Sequence, residues 1–182
     1  MCSSDLLLFA AWASRCAAPS EFQKHSKATP LTTTVSPSAT VPQVEAICVV
    51  APHLFVEPGG VRSIALANQL FDQDPEFRAR LGKHHRDVEA MFKHWANVWL
   101  SDAFTSWNIE AELADIACPI LAIQGCDDQY GSLAHIRRIP ELVGAGSKPE
   151  LLEIPACKHS PHLEHRATVL GACSRFMTQR VR

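Results

Sequence analysis

The sequence predicts an α/β fold with parallel strands, and three observations carry that expectation. Short apolar runs at 46–51, 120–124 and 151–154 are separated by longer segments in which apolar residues recur at helical spacing. The middle run is apolar throughout and ends on a glycine followed by two aspartates, which is how a strand buried on both faces meets the crevice at its C-terminal edge. The order strand, helical insertion, strand, helix, strand, helix then implies right-handed crossovers between parallel strands.

Each element has a local reason. The run 46–51 stops at Pro52-His53, and Pro58-Gly59-Gly60 reads as a loop. A helix is expected over 61–71, and another over 75–85 with Asp74 as N-cap and Pro75 at its first position. A third is expected from about 87 to 100, where Val88, Phe92, Trp95 and Trp99 fall on one face. Asn108 can cap a short turn carrying Ile109, Leu113 and Ile116. The strand 120–124, a helix over 132–143, the strand 151–154 and a last helix over about 161–177 complete the order. No internal repeat is visible.

Composition bounds the function. Of 182 residues, 47% are hydrophobic and 20% charged, enough to build a core and far from a disordered chain. The net charge of -2 and the lack of a basic stripe argue against nucleic acid as a partner. Seven scattered cysteines, an odd number, read as reduced thiols in core positions and point to the cytoplasm. The opening Leu6-Leu-Leu-Phe-Ala-Ala-Trp-Ala13 resembles a signal-peptide core but follows Asp5 rather than a basic residue, and Arg15 stands where a lipidated Cys16 would need a small neighbour. At about eight apolar residues it is also too short to span a bilayer. Residues 17–43 are rich in Ser, Thr and Pro and read as a linker or disordered arm; the sequence changes character at Val44.

The chemistry is expected at two strand ends. Cys118-Pro-Ile-Leu-Ala-Ile-Gln-Gly-Cys-Asp-Asp128 delivers a carboxylate, and Cys157-Lys-His-Ser-Pro161 delivers a histidine, from neighbouring loops on one rim of the sheet. A carboxylate beside a histidine is the orienting and proton-transferring pair of a nucleophilic hydrolase. Asp128 and His159 are the candidate catalytic residues, whereas Asp127 reads as a turn residue. The ladder His159, His162, His165 with Cys157 invites a zinc reading, but three-residue steps on a helix swing the rings apart and no acid stands between them, so no metal or other cofactor is expected. His162 reads as pocket-lining or capping and His165 as solvated. His84, His85 and His94 read as polar-face residues of the insertion, Trp95, Trp99 and Trp107 as packing, and His53 as a pocket candidate because it follows a strand end.

With these residues placed, 44–177 resembles the C-terminal half of an α/β-hydrolase. The strand ending in Ala51-Pro-His53, the helical insertion after it (about 54–116), Pro119-Ile-Leu-Ala-Ile-Gln-Gly-Cys-Asp-Asp128 and Lys158-His-Ser-Pro161 carry the resemblance. It implies a partial hydrolase sheet with flanking helices and a helical cap, Asp128 as triad acid, His159 as general base, and a small acyl substrate such as a carboxylic ester. The G-x-S-x-G elbow that the family places shortly before such a point has no intact counterpart. Its nearest approach is Lys24-His-Ser-Lys-Ala28, with Ser26 between the wrong flanking residues and a Thr- and Pro-rich stretch where a helix should follow. Met1-Cys-Ser-Ser-Asp-Leu6 is also what the end of a common sequencing adapter encodes from a GTG start, which predicts an artefactual opening and an out-of-frame stretch after it. The competing expectation is a hydrolase-derived fragment that is inert or only binds. An apolar, charge-free edge at 46–51 predicts self-association.

Overall fold

The computed structural model describes residues 44–180; the linker at 17–43 and Ser26 lie outside them. Three strands, β1 (Ile47–Val50), β2 (Ile120–Gly125) and β3 (Glu150–Ile154), form a parallel sheet in the order β1-β2-β3. Ile47 pairs with Ile120 and Leu121 with Glu150, so all three C-terminal ends reach the same rim. Every residue of β2 is buried, the apolar run Ile120–Ile123 and Gln124 alike.

The side chains of β2 divide between the two faces of the sheet. Ile120 and Ala122 join Ile47, Leu54, Leu113, Ile136 and Ile139, the last two from α4 (Ala134–Leu142). Leu121 and Ile123 join Ile154, Val169, Ala172 and Phe176, the last three from α6 (Arg166–Arg180). Each fully buried aliphatic or aromatic side chain contributes about 1.5–3 kcal/mol, so these two cores hold the rim in place.

Between β1 and β2 the chain forms α1 (Pro58–Gln73), α2 (Pro75–Gly82) and α3 (Val88–Trp99), followed by short 3-10 turns at Asp102–Phe104 and Ala111–Asp115. Their separate core holds Ala67, Phe71, Leu81, Phe92 and Ala96, with the Phe71 and Phe92 rings stacked at 4.2 Å. Asp74 caps α2 by accepting from Glu76 N (2.8 Å) and Phe77 N (3.1 Å), and Asp87 caps α3 by accepting from Ala90 N (2.9 Å).

Three boundaries differ from the sequence reading. Pro58-Gly59-Gly60 opens α1 rather than forming a loop, because Pro at the first helical position lacks only an N–H that needs no partner there. Gly60 is also required by contact: a Cβ would lie 2.2 Å from the Tyr130 carbonyl oxygen. Helix α2 ends at Gly82 instead of near residue 85, since Leu81 is its last core residue and Lys83 and His84 are exposed. The last helix is broken at His165 (φ -130°, ψ 46°) into α5 (Pro161–Glu164) and α6. Its first turn is tied to the rim, where the Glu164 carboxylate accepts from Lys158 N (2.9 Å) and Ser160 N (3.2 Å), while α6 follows the sheet.

Candidate active site

The loops after β2 and β3 meet because Gly125 lets them. A Cβ on Gly125 would lie 2.2 Å from the carbonyl oxygens of both Cys157 and Lys158. The approach is fastened by Cys126 N donating to Ile154 O (2.9 Å) and Asp127 N to Cys157 O (2.8 Å). Ala156, in the second loop, takes a left-handed conformation (φ 53°), as does Ala51 (φ 49°) just past β1. For a residue with a Cβ this costs on the order of 1 kcal/mol each, so backbone strain borders the rim on both sides of β2.

At this meeting point Asp128 and His159 are in contact. His159 Nδ1 lies 2.8 Å from Asp128 Oδ2 and 3.0 Å from Oδ1. The Asp128 side chain is 1% exposed and that of His159 11%. Asp128 Oδ1 also accepts from Tyr130 N (2.8 Å) and Gly131 N (3.3 Å), and Oδ2 accepts from Gln124 Nε2 (2.7 Å). Burial alone would push the Asp128 carboxyl up, but the His159 hydrogen bond and charge, with the Tyr130 and Gly131 N–H groups, outweigh it and hold the carboxyl below its ordinary range. An ionised carboxylate only accepts, so Nδ1 carries the proton. In the neutral ring Nε2 then keeps its lone pair, the arrangement of a general base.

His53 stands on the same rim. Its ring centroid is 6.0 Å from that of His159, 4.8 Å from that of His135 and 5.1 Å, edge-on, from that of Trp99 in α3. Burial, then repulsion from His135 and His159, lowers its pKa to about 4. The Trp99, Phe104 and Trp107 rings continue outward from it, with centroids 5.1–6.1 Å apart. Trp95 packs in the core of the insertion instead. Asp127 is an exposed turn residue.

The histidine ladder is not one surface. His159 lies in the loop, His162 in α5 and His165 at the helix break, its Nε2 3.4 Å from the Ala156 carbonyl oxygen. Among the described residues no group of three His, Cys, Asp or Glu is placed to hold a metal ion. The described cysteines are free thiols, but Cys126 is exposed rather than in the core, because it occupies the turn beyond β2.

The structure adds residues that sequence reading passed over. His135 is fully buried, accepts from Leu54 N through Nδ1 (3.2 Å) and brings Nε2 to 3.1 Å from Glu57 Oε2. With Nδ1 accepting, the ring is neutral and its N–H is on Nε2, which faces Glu57 without a well-directed hydrogen bond. Glu57 in turn accepts from Ser132 N (2.8 Å) and Oγ (2.7 Å), joining the start of the insertion to the loop that carries Asp128. The available signal was a histidine on the apolar face shared by Ile136 and Ile139.

No protein-family model matches the sequence, and no curated protein matches it. Solved structures do match in fold. A serine hydrolase involved in carbazole degradation superposes with a TM-score of 0.53 at 16% identity, over 75% of this chain and 55% of its own. A meta-cleavage product hydrolase from Pseudomonas fluorescens superposes with a TM-score of 0.51 at 15% identity, over 75% and 56%. The fold is the α/β-hydrolase fold. NosK from Streptomyces actuosus is a further match, with a TM-score of 0.56 at 15% identity over 76% of this chain and 60% of its own. The chain thus spans little more than half the length of the α/β-hydrolase structures it resembles.

Proposed function

We propose that residues 44–182 supply the acid, base and cap of a serine acyl hydrolase acting on a small, apolar ester or related compound. The observation that carries this reading is the 2.8 Å contact between Asp128 and His159, made from adjacent loops at the C-terminal rim of the sheet. In the reaction a serine attacks the carbonyl, His159 takes its proton and returns it to the leaving group, and Asp128 holds the ring and stabilises its charged form. Trp99, Phe104 and Trp107, running from His53 into the insertion, support an apolar substrate beneath a cap at about 54–116. The free thiols of the described residues support a cytoplasmic setting. No helix of the described residues is long and apolar enough to cross a membrane.

The 182 residues contain no G-x-S-x-G, so the chain as written is proposed to be inactive. A short-chain aryl ester assay tests this. The chain alone should give no turnover above background, whereas a chain whose upstream reading frame supplies an intact elbow should turn over. A product burst from the present chain that vanishes in Ser26→Ala would make Ser26 the nucleophile; an elbow-bearing chain that folds and stays inert would favour a non-catalytic, hydrolase-derived binding protein.

A further inference from the structure

We propose that Gln124 is a positioning residue for the Asp128–His159 pair, fixing the carboxylate in the plane and charge state in which it orients the imidazole. The proposal rests on reading that pair as the acid and base of an acyl hydrolase. Gln124 is the one side chain of β2 that is neither aliphatic nor glycine, and it is fully buried. Its Nε2 donates to Asp128 Oδ2 at 2.7 Å and to the Gly131 carbonyl at 2.8 Å. Both partners only accept, so the NH₂ end must face them.

Oδ2 is the oxygen that also lies closer to His159 Nδ1, at 2.8 Å. The carboxylate is therefore gripped on both oxygens, by Gln124 on Oδ2 and by Tyr130 N and Gly131 N on Oδ1. Turning it about its terminal torsion would break one set or the other. Gln124 fastens the same loop a second time through Gly131 O, so carboxylate and backbone move together.

The amide makes this grip at a cost. Its carbonyl, Oε1, is buried with no hydrogen-bond partner, and an unpaired polar atom in a dry interior is unfavourable. An aliphatic side chain would fill the strand position without that penalty. What it could not do is donate to Oδ2.

The other titratable groups that interact with Asp128 are His159 and Cys157 from the loop after β3, His53 from the loop after β1 and His135 from α4, with Glu57 beyond His135. Of these only His159 also donates to Oδ2, through Nδ1, and Gln124 holds the same oxygen from the strand side. A hydrogen bond to the charged form of a carboxylate favours that form.

Carbon-13 NMR of protein labelled at the aspartate carboxyl carbons, with the Asp128 signal assigned through Asp128→Asn, tests the role without needing turnover. Gln124→Met keeps the length of the side chain but cannot donate. The Asp128 titration midpoint is expected to move up from its wild-type value toward the ordinary carboxylate range. Gln124→Glu sets a second carboxyl against Oδ2, so the pair is expected to retain one shared proton at neutral pH. It decides the matter if the methionine variant does not fold. Folded variants in which Asp128 titrates as in the wild type would overturn the positioning role alone. An ordinary carboxylate midpoint already in the wild type would overturn the acid–base reading, and the positioning role with it.

Discussion

Replacing Gly125 with alanine should separate the two loops that form the site. The new Cβ would sit 2.2 Å from the Cys157 and Lys158 carbonyl oxygens and 2.6 Å from the Cys157 carbonyl carbon, where ordinary contact begins at 3.4 Å. The obstacle is backbone on two consecutive residues, so no rotamer change relieves it, and the loop after β3 must retreat by more than an ångström. Overpacking of this kind costs about 3 kcal/mol, and weakening the hydrogen bonds from Cys126 N and Asp127 N adds about 1 kcal/mol each. Against a total stability of about 5–15 kcal/mol, such a loss is large. Urea unfolding measures it, and a melting temperature lowered by roughly 10 °C or more is the thermal equivalent. Gly82→Ala is the control, because nothing lies within 4 Å of its Cβ; it should be neutral or stabilising by up to about 1 kcal/mol. A Gly125→Ala protein that unfolds at the same urea concentration as Gly82→Ala would refute the close-approach reasoning.

Acid should destabilise the fold through His53. Its folded pKa of about 4 lies below the ordinary 6.5, so the unfolded chain binds the extra proton between those values; the His53 contribution to stability is full above pH 6.5 and is lost as pH drops to about 4. The loss approaches about 3 kcal/mol, and a His53→Asn protein showing the same acid slope in urea titrations would rule His53 out as its source. Self-association should follow from β1, which among the described strands pairs with β2 alone and presents Ile47, Cys48, Val49 and Val50 without a charge. Light scattering should report a species larger than one chain, and a monodisperse monomer with a cooperative thermal transition would contradict this.

Much of this arrangement was legible because it is encoded locally. The apolar run of β2, the Asp74 and Asp87 caps and the period of Val88, Phe92 and Trp95 are near-neighbour signals, and each reappears in the structure, whereas Trp99, expected on the same face, packs against His53 instead. Asp128 and His159 were readable from their places after two strands, although their contact depends on Gly125, whose need arises only when two distant loops meet. The same limit hid Gly60 in α1, where Pro58-Gly59-Gly60 has turn composition but is shaped by the Tyr130 carbonyl. His135 and Glu57 were missed because their partners lie 78 and 75 residues away in sequence, at Glu57 and Ser132. The break at His165 arises from competing anchors, the rim for α5 and the sheet for α6, and no local breaker residue announces it.

A double-mutant cycle on turnover tests most directly whether Asp128 and His159 act as one catalytic unit. In a chain carrying an intact elbow, His159→Ala should lower kcat for ester hydrolysis by about 10⁶-fold, to a residual rate still above background, and Asp128→Asn should lower it by about 10⁴-fold with KM nearly unchanged. The double variant should be no worse than His159→Ala alone, because the aspartate works through the histidine. Independent, multiplying losses, or wild-type turnover after His159→Ala, would contradict the account.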